Sequence, residues 1–265
     1  SVTDTNDIAL STSTVSSNLT VTAGTNITQS GAVSVANLAV FNATGDSIIL
    51  DSANDLNSVA LVATDASVTD TSDIVLSTAT ISNNLTVTAG TNITQSGAIS
   101  VANLSVFNAT GDSVVLDSNN QFGSVGLIAA EASVTDTNDI VLSTSTVSSN
   151  LTVTAGTNIT QSGTVSVANL SVFNATGDTV ILDSANDLNS VALIATDASV
   201  TDTSDIVLST ATIGNNLTVT AGTNITQSGA ISVANLSVFN ATGDSVVLDS
   251  NNQFGSVGLI ARSEE

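Results

Sequence analysis

Asp4, Asp7, Asp46, Asp51 and Asp73 are the residues of this sequence best equipped for chemistry, because its 23 acidic side chains stand beside one basic residue and no His or Cys. Two carboxylates flanking a glycosidic bond can act as acid and base, and Asp46 with Asp51, or Asp4 with Asp7, are the pairs at suitable spacing. Both pairs recur in every repeat, have no cationic neighbour, and share the chain with only six aromatic residues, all Phe, to stack a sugar. Ser is plentiful, yet a Ser nucleophile needs a His- or Lys-type base. No catalytic residue and no cofactor are expected, and the chain is read as a non-enzyme.

Cation binding is the better chemical hypothesis. A Ca²⁺ site takes six to eight oxygens, and "DTND" at 4–7 or "DSANDLN" at 51–57 offers several. If Asp46 and Asp73 share a column, they repel by about 1 kcal/mol in water, with Asn26 as a neutral spacer. The glycine-rich nonapeptide of calcium-binding β-rolls is missing, so an acidic surface is expected from Asp7, Asp46 and Asp73 in place of a dedicated metal site. Thr3/Thr5, Thr12/Thr14 and Thr20/Thr22 form Thr-x-Thr pairs of the kind that order water, but the coil above Thr20/Thr22 interrupts the array. "NLT", "NIT" and "NAT" match the glycosylation sequon; Asn- and Thr-rich strand starts produce the same triplets.

The formal charge of −22 opposes nucleic acid and anionic membrane surfaces, which demand Lys or Arg. The one Arg is Arg262, in the last four residues. Without Cys there is no disulfide framework. No Met occurs, so the chain is expected to be a processed product or a segment of something longer. Apolar runs such as Val59–Ala63 fall far short of the roughly 20 residues of a membrane helix.

The elements that position these side chains are set by repetition. "NLTVTAGTNITQSG" begins at Asn18, Asn84, Asn150 and Asn216, a period of 66 residues, giving units 1–66, 67–132, 133–198 and 199–264, with 262–265 an end segment or cloning remnant. Such a period is the signature of a solenoid or array. Within a unit the period is two: Leu19, Val21 and Ala23 face one way, Thr20 and Thr22 the other. Alternation and β-branched content predict strands. Val33/Ile99/Val165/Ile231 and Val15/Ile81/Val147/Ile213 exchange residues of similar volume, as buried sites require, whereas Ala39/Ser171 and Ser47/Thr179 suit an outer face.

Stretches of 19, 22 and 25 residues can be written inside each unit, each about one coil of a three-sided solenoid. The fold class expected is all-β, a parallel β-helix with about three coils per unit and about twelve in total, running as one solenoid through 1–265. At about 4.8 Å per coil this is a rod of about 55–60 Å. Side chains 66 apart then occupy equivalent places along a common axis, with Asn18 matching Asn37, Asn amides laddering, and glycines at corners that need positive φ. In "NLAVFNAT" either Leu38 and Val40 or Ala39, Phe41 and Ala43 point inward; burial of Phe41 is favoured, since a ring exposed in every unit invites aggregation. Phe122 and Phe254 replace Leu56 and Leu188, which marks a second core site.

The phrases "NLTVTAGTNITQSGA" and "ASVTDTNDIALSTSTVS" resemble repeats of the filamentous-haemagglutinin-like proteins of bacterial two-partner secretion, over essentially residues 1–261. The resemblance implies a right-handed parallel β-helix, export to the cell surface, and a role as shaft, stalk or adhesin-related filament. Expected partners are neighbouring repeats of a longer chain or end-to-end copies of this one, and a cell-surface ligand if a repeated face binds one; neither nucleic acid nor membrane insertion is expected.

Overall fold

The computed structural model describes residues 1–242 and 244–261; Arg262 and the end segment 262–265 lie outside the described residues. Among the described residues there is no helix, and the strands fall into two compact units, Ser1–Asp136 and Thr137–Glu265. The first holds β1 (Val2–Asp4), β2 (Ile8–Leu10), β3 (Ser13–Val15), β4 (Leu19–Ala23), β5 (Ile27–Gln29), β6 (Val33–Asp70), β7 (Ile74–Ile81), β8 (Leu85–Thr88), β9 (Ile93–Gln95) and β10 (Ile99–Asp136). The second holds β11 (Ile140–Leu142), β12 (Ser145–Val147), β13 (Leu151–Ala155), β14 (Ile159–Gln161), β15 (Val165–Asp202), β16 (Ile206–Ile213), β17 (Leu217–Ala221), β18 (Ile225–Gln227), β19 (Ile231–Ala241) and β20 (Gln253–Ile260). Each of β6, β10 and β15 runs for 38 residues and cannot be straight, since the Leu56 N–H meets the Asp70 carboxylate only 14 residues further on.

Within each unit the paired strands are parallel, and each coil lies on the next. One column runs Val2–Val21–Phe41, continues from Phe41 to Leu61 as Phe239 does to Leu259, and then takes Ala79 and Ile99. Five steps thus cover residues 2 to 99, about 19 residues per coil, and shorter than the 22 and 25 expected of two coils. A 66-residue repeat therefore spans about three and a half coils, and each unit about seven, where three coils per repeat would give six.

The half coil alters how the repeats superimpose. After Leu61 the column meets Ala79 and Ile99, which are the second repeat's versions of Ser13 and Val33. The column through Ser13 and Val33 instead reaches Asn54 and then the Thr69 carbonyl. Side chains 66 apart share an environment (Val21, Val87, Val153 and Val219 are all fully buried), but within a unit they lie half a coil apart and not in one column.

Alternation decides what is inside. Along β4 the burial pattern is buried, exposed, buried, half-buried, buried, and Leu19, Val21 and Ala23 form the inward side. Phe41, Phe107, Phe173 and Phe239 are fully buried with the flanking residues 39 and 43, while Leu38 and Val40 stay partly exposed. The second core site is real: Phe122 lies edge-on to Phe107 with ring centroids 5.8 Å apart. The Val/Ile positions 33, 99, 165 and 231 are buried as expected.

Position 39 corrects the outer-face expectation. Ala39 and its counterparts Ser105, Ser171 and Ser237 are fully buried, and the three hydroxyls have no protein partner. The Asn18–Asn37 match also shifts by one residue, because Leu19 pairs with Ala39 and the Asn18 Oδ1 accepts from the Leu38 N–H. Glycine serves two purposes here. Gly45, Gly111 and Gly177 adopt φ near +90° at an open corner, which L side chains resist. Gly24 keeps a negative φ, yet a Cβ there would lie 2.1 Å from the Thr5 carbonyl of the coil below, so close coil approach requires it.

Candidate functional site: polar ladders between coils

Strand ends in this fold are corners, and the polar side chains gathered there bond to the next coil. In the first ladder Asp7 Oδ1 accepts the Thr25 hydroxyl at 2.5 Å, the Asn26 N–H at 3.0 Å and the Asn26 side-chain amide at 3.1 Å. Asn26 Oδ1 then accepts the Ser47 N–H one coil higher. Asp73, Asp139 and Asp205 repeat the arrangement with Thr91, Thr157 and Thr223 and the following Asn. The Thr hydroxyl, then the Asn donors, hold these exposed carboxyls below the usual Asp range.

A second corner places Asp65 beneath Asn83 and Asn84, whose amides donate at 2.8 and 3.2 Å. Asp197 does the same with Asn215 and Asn216, and the Asn215 amide is the main reason its carboxyl titrates low. Above them Asn103 donates to Asn83 Oδ1 at 2.5 Å, and Asn235 to Asn215, so an amide–amide step exists in the second and fourth repeats, between the copies of positions 17 and 37 and not of the expected 18 and 37.

Two further clusters are buried. Asn54 is fully buried and paired with Gln29: its Nδ2 donates to Gln29 Oε1 and to the Leu50 and Thr69 carbonyls, while its Oδ1 accepts from Gln29 Nε2 and the Val33 N–H. Every polar atom of that amide is satisfied, as burial demands. Gln161 with Asn186 repeats the arrangement. Next to it Asp70, 2% exposed, accepts the Leu56 N–H at 2.5 Å on one oxygen and the Ser72 N–H and hydroxyl on the other. Desolvation is the largest influence on Asp70 and Asp202 and pushes both carboxyls up despite three donors each; Asp55 and Asp187 add repulsion.

These geometries place the sequence-derived candidates. Asp7 and Asp73 are equivalent ladder bases. Asp46 and Asp73 do not share a column, because Val75 pairs with Ser58, which puts Asp73 over the residues near 56. Asp51 accepts the Ser67 hydroxyl at 2.5 Å, and Asp4 accepts the Asn6 N–H at 2.8 Å. Among the described residues no three carboxylates gather at one point. Thr20 pairs with Val40 and Thr22 with Asn42, so the Thr array is interrupted in the next coil. Surface depressions of about 210 Å³ beside Ile49 and Asp65, and about 310 Å³ beside Gly45 and Val62, are lined mainly by Ser, Thr and aliphatic side chains. Gln29 escaped the sequence reading, and Asn54 and Asp70, read there as a possible cation-ligand residue and as the copy of Asp4, are buried coil-to-coil bridges instead. One signal was present: Asn54 and Asn120 are constant between copies whose neighbours change from Ala53 and Asp55 to Asn119 and Gln121.

Parallel coils, a 66-residue period and side chains bonded from coil to coil define a β-solenoid built of tandem repeats. The chain belongs to the family described as repeats of unknown function (DUF5649), whose model matches four times, at residues 1–63, 63–129, 129–195 and 195–261. No curated protein and no solved structure matches the chain.

Proposed function

We propose that the chain is a structural repeat segment, a shaft, stalk or filament piece, of a large extracellular or cell-surface bacterial protein, without catalysis. One observation carries this reading: the polar side chains capable of chemistry recur at fixed repeat positions and are engaged in joining one coil to the next. An active site needs one convergent set of groups, whereas a load-bearing stack needs the same bond at every level. The resemblance of the repeats to filamentous-haemagglutinin-like exoproteins supports the surface location and an adhesin-related parent. A net charge of −22 helps keep a strand-rich surface soluble. Two measurements test it. Antibodies raised against the repeats should label intact cells of the source bacterium. Electron micrographs of the purified chain should show elongated particles. Labelling only after lysis, or compact globules, would contradict the proposal.

A further inference from the structure

Each repeat holds three Asn-x-Thr triplets, and the fold treats their Asn side chains differently. Asn18, Asn84, Asn150 and Asn216 accept the N–H of residue 38 or its copy in the coil above, and the Asn84 and Asn216 amides also donate to Asp65 and Asp197. Asn26, Asn92, Asn158 and Asn224 are used at both ends. Their Nδ2 donates to an Asp of the coil below, and their Oδ1 accepts an N–H from the coil above. For these two triplets a role in joining strand starts from coil to coil accounts for the Asn.

The third triplet joins nothing to the next coil through its Asn side chain. Asn42 Oδ1 accepts the Thr44 N–H at 3.1 Å and the Thr44 hydroxyl at 2.5 Å, and Asn108 and Asn174 accept the Thr110 and Thr176 hydroxyls in the same way. The Nδ2 of Asn42, Asn108 and Asn174 donates to no described residue. Gly45, Gly111 and Gly177 follow with φ near +90°, and nothing lies within 4 Å of where their Cβ would be, so the corner is open. Over Asn42 lies Val62, by the pairing that joins Asn240 to Ile260; the counterparts Ile128 and Ile194 are 38% and 40% exposed. The depression of about 310 Å³ bordered by Thr44, Gly45, Val62 and Thr80 opens beside it.

We propose that Asn42, Asn108 and Asn174 are N-glycosylation sites of the folded chain, each carrying a sugar on Nδ2, and that Asn18, Asn26 and their copies stay bare. The triplet is the acceptor pattern for such a sugar, and these three Asn residues alone combine it with a donor-free Nδ2 at an open corner. An amide nitrogen is a poor nucleophile because its lone pair is shared with the carbonyl. Donors already aimed at Oδ1 stabilise the negative charge that gathers there as Nδ2 gives up a proton. The co-reactants are a sugar nucleotide and a glycosyltransferase of the source cell. Nδ2 bonds to the sugar C1, the C1–O bond to the nucleotide's phosphate breaks with its electron pair on the oxygen, and the Nδ2 proton passes to a base of the transferase. The attached sugar can lay its C–H face on Val62, Ile128 or Ile194 and so cover an aliphatic side chain that the coil leaves exposed. Modification of Asn26 or its copies would instead cost the Asp–Asn ladder its donor.

Mass spectrometry of the repeat protein purified from its source bacterium, cleaved at aspartate because the chain has no Lys and one Arg, tests it. Peptides holding Asn42, Asn108 and Asn174 should carry sugar masses, and peptides holding Asn26, Asn92 and Asn158 should not. Thr44→Val expressed in the same cells should lose the sugar on Asn42 and keep those on Asn108 and Asn174, whereas Thr44→Ser should keep all three. Thr44 is exposed, so circular dichroism of both variants should match the native chain. A chain without sugar, sugar on Asn26 or its copies, or sugar that persists on Asn42 in Thr44→Val would each overturn the proposal. The structural reading above is tested separately, by cell labelling and particle shape, and an unglycosylated shaft would leave it standing.

Discussion

At the residue scale, the clearest cost built into the fold is the hydroxyl at position 39 of the later repeats. Ser171 is fully buried with no protein partner, where the first repeat has Ala39. An unsatisfied buried hydroxyl costs about 1–3 kcal/mol, so Ser171→Ala should raise the midpoint of urea unfolding, and Ala39→Ser should lower it. The acidic side chains divide by sign. The Asp73 carboxyl titrates low because Thr91 and Asn92 donate to it. Its contribution is therefore present above the unfolded-state value of about 4 and is lost as pH falls through the folded value. Asp73→Asn should lower the melting temperature at pH 7, and the difference from the native chain should shrink toward pH 2. Asp202 has the opposite sign: its raised value means its contribution is full below about pH 4 and declines as pH rises through the folded value. Asp202→Asn leaves one acceptor oxygen between the Leu188 N–H on one side and the Ser204 N–H and hydroxyl on the other, so an amide N–H must face a donor, at a cost of about 1–3 kcal/mol. Because Asp7 and its equivalents already accept three donors each and no three carboxylates converge among the described residues, millimolar Ca²⁺ and a chelator should give the same melting temperature. A rise of many degrees with Ca²⁺ would show a cation site.

At the element scale, alternation made the strands legible and the corners largely illegible. Leu19-Thr20-Val21-Thr22-Ala23 predicts its own inward side, and the buried Phe41 follows from the same rule. Length and register were not legible, because coil length depends on how many residues each corner takes up, and a corner is polar whether it holds two residues or five. Position 39 misled for a related reason: Ser is tolerated inside where the volume of Ala is required, and composition alone reads it as surface. The corners also carry a testable distinction between glycines. Gly111→Ala forces an L residue to φ +88° at an open site and should cost about 1–2 kcal/mol. Gly90→Ala drives a Cβ to 2.2 Å from the Thr71 carbonyl, so the coils must separate. Chemical denaturation should show the larger loss for Gly90→Ala.

At the scale of the whole molecule, the 66-residue period was plain, whereas the half coil was hidden because a sequence period counts residues and says nothing about rotation. Within a unit the half coil sets the second repeat's side chains half a coil round from the first's. The coupled clusters follow from that arrangement: Gln29 and Asn54 are 25 residues apart and meet only because one coil takes about 19 residues and Asn54 sits further round the next. Tandem copies stabilise one another through such contacts, and stability is then a sum over neighbouring coils. The most direct test of the parallel stack is the distance between spin labels at Thr3 and Ser100 in the first unit. The register carries Thr3 through Thr22, Asn42, Val62 and Thr80 to Ser100, five coils at about 4.8 Å. A narrow distribution centred near about 24 Å is predicted; a broad distribution, or one centred beyond about 35 Å, would contradict the parallel coils on which the account depends.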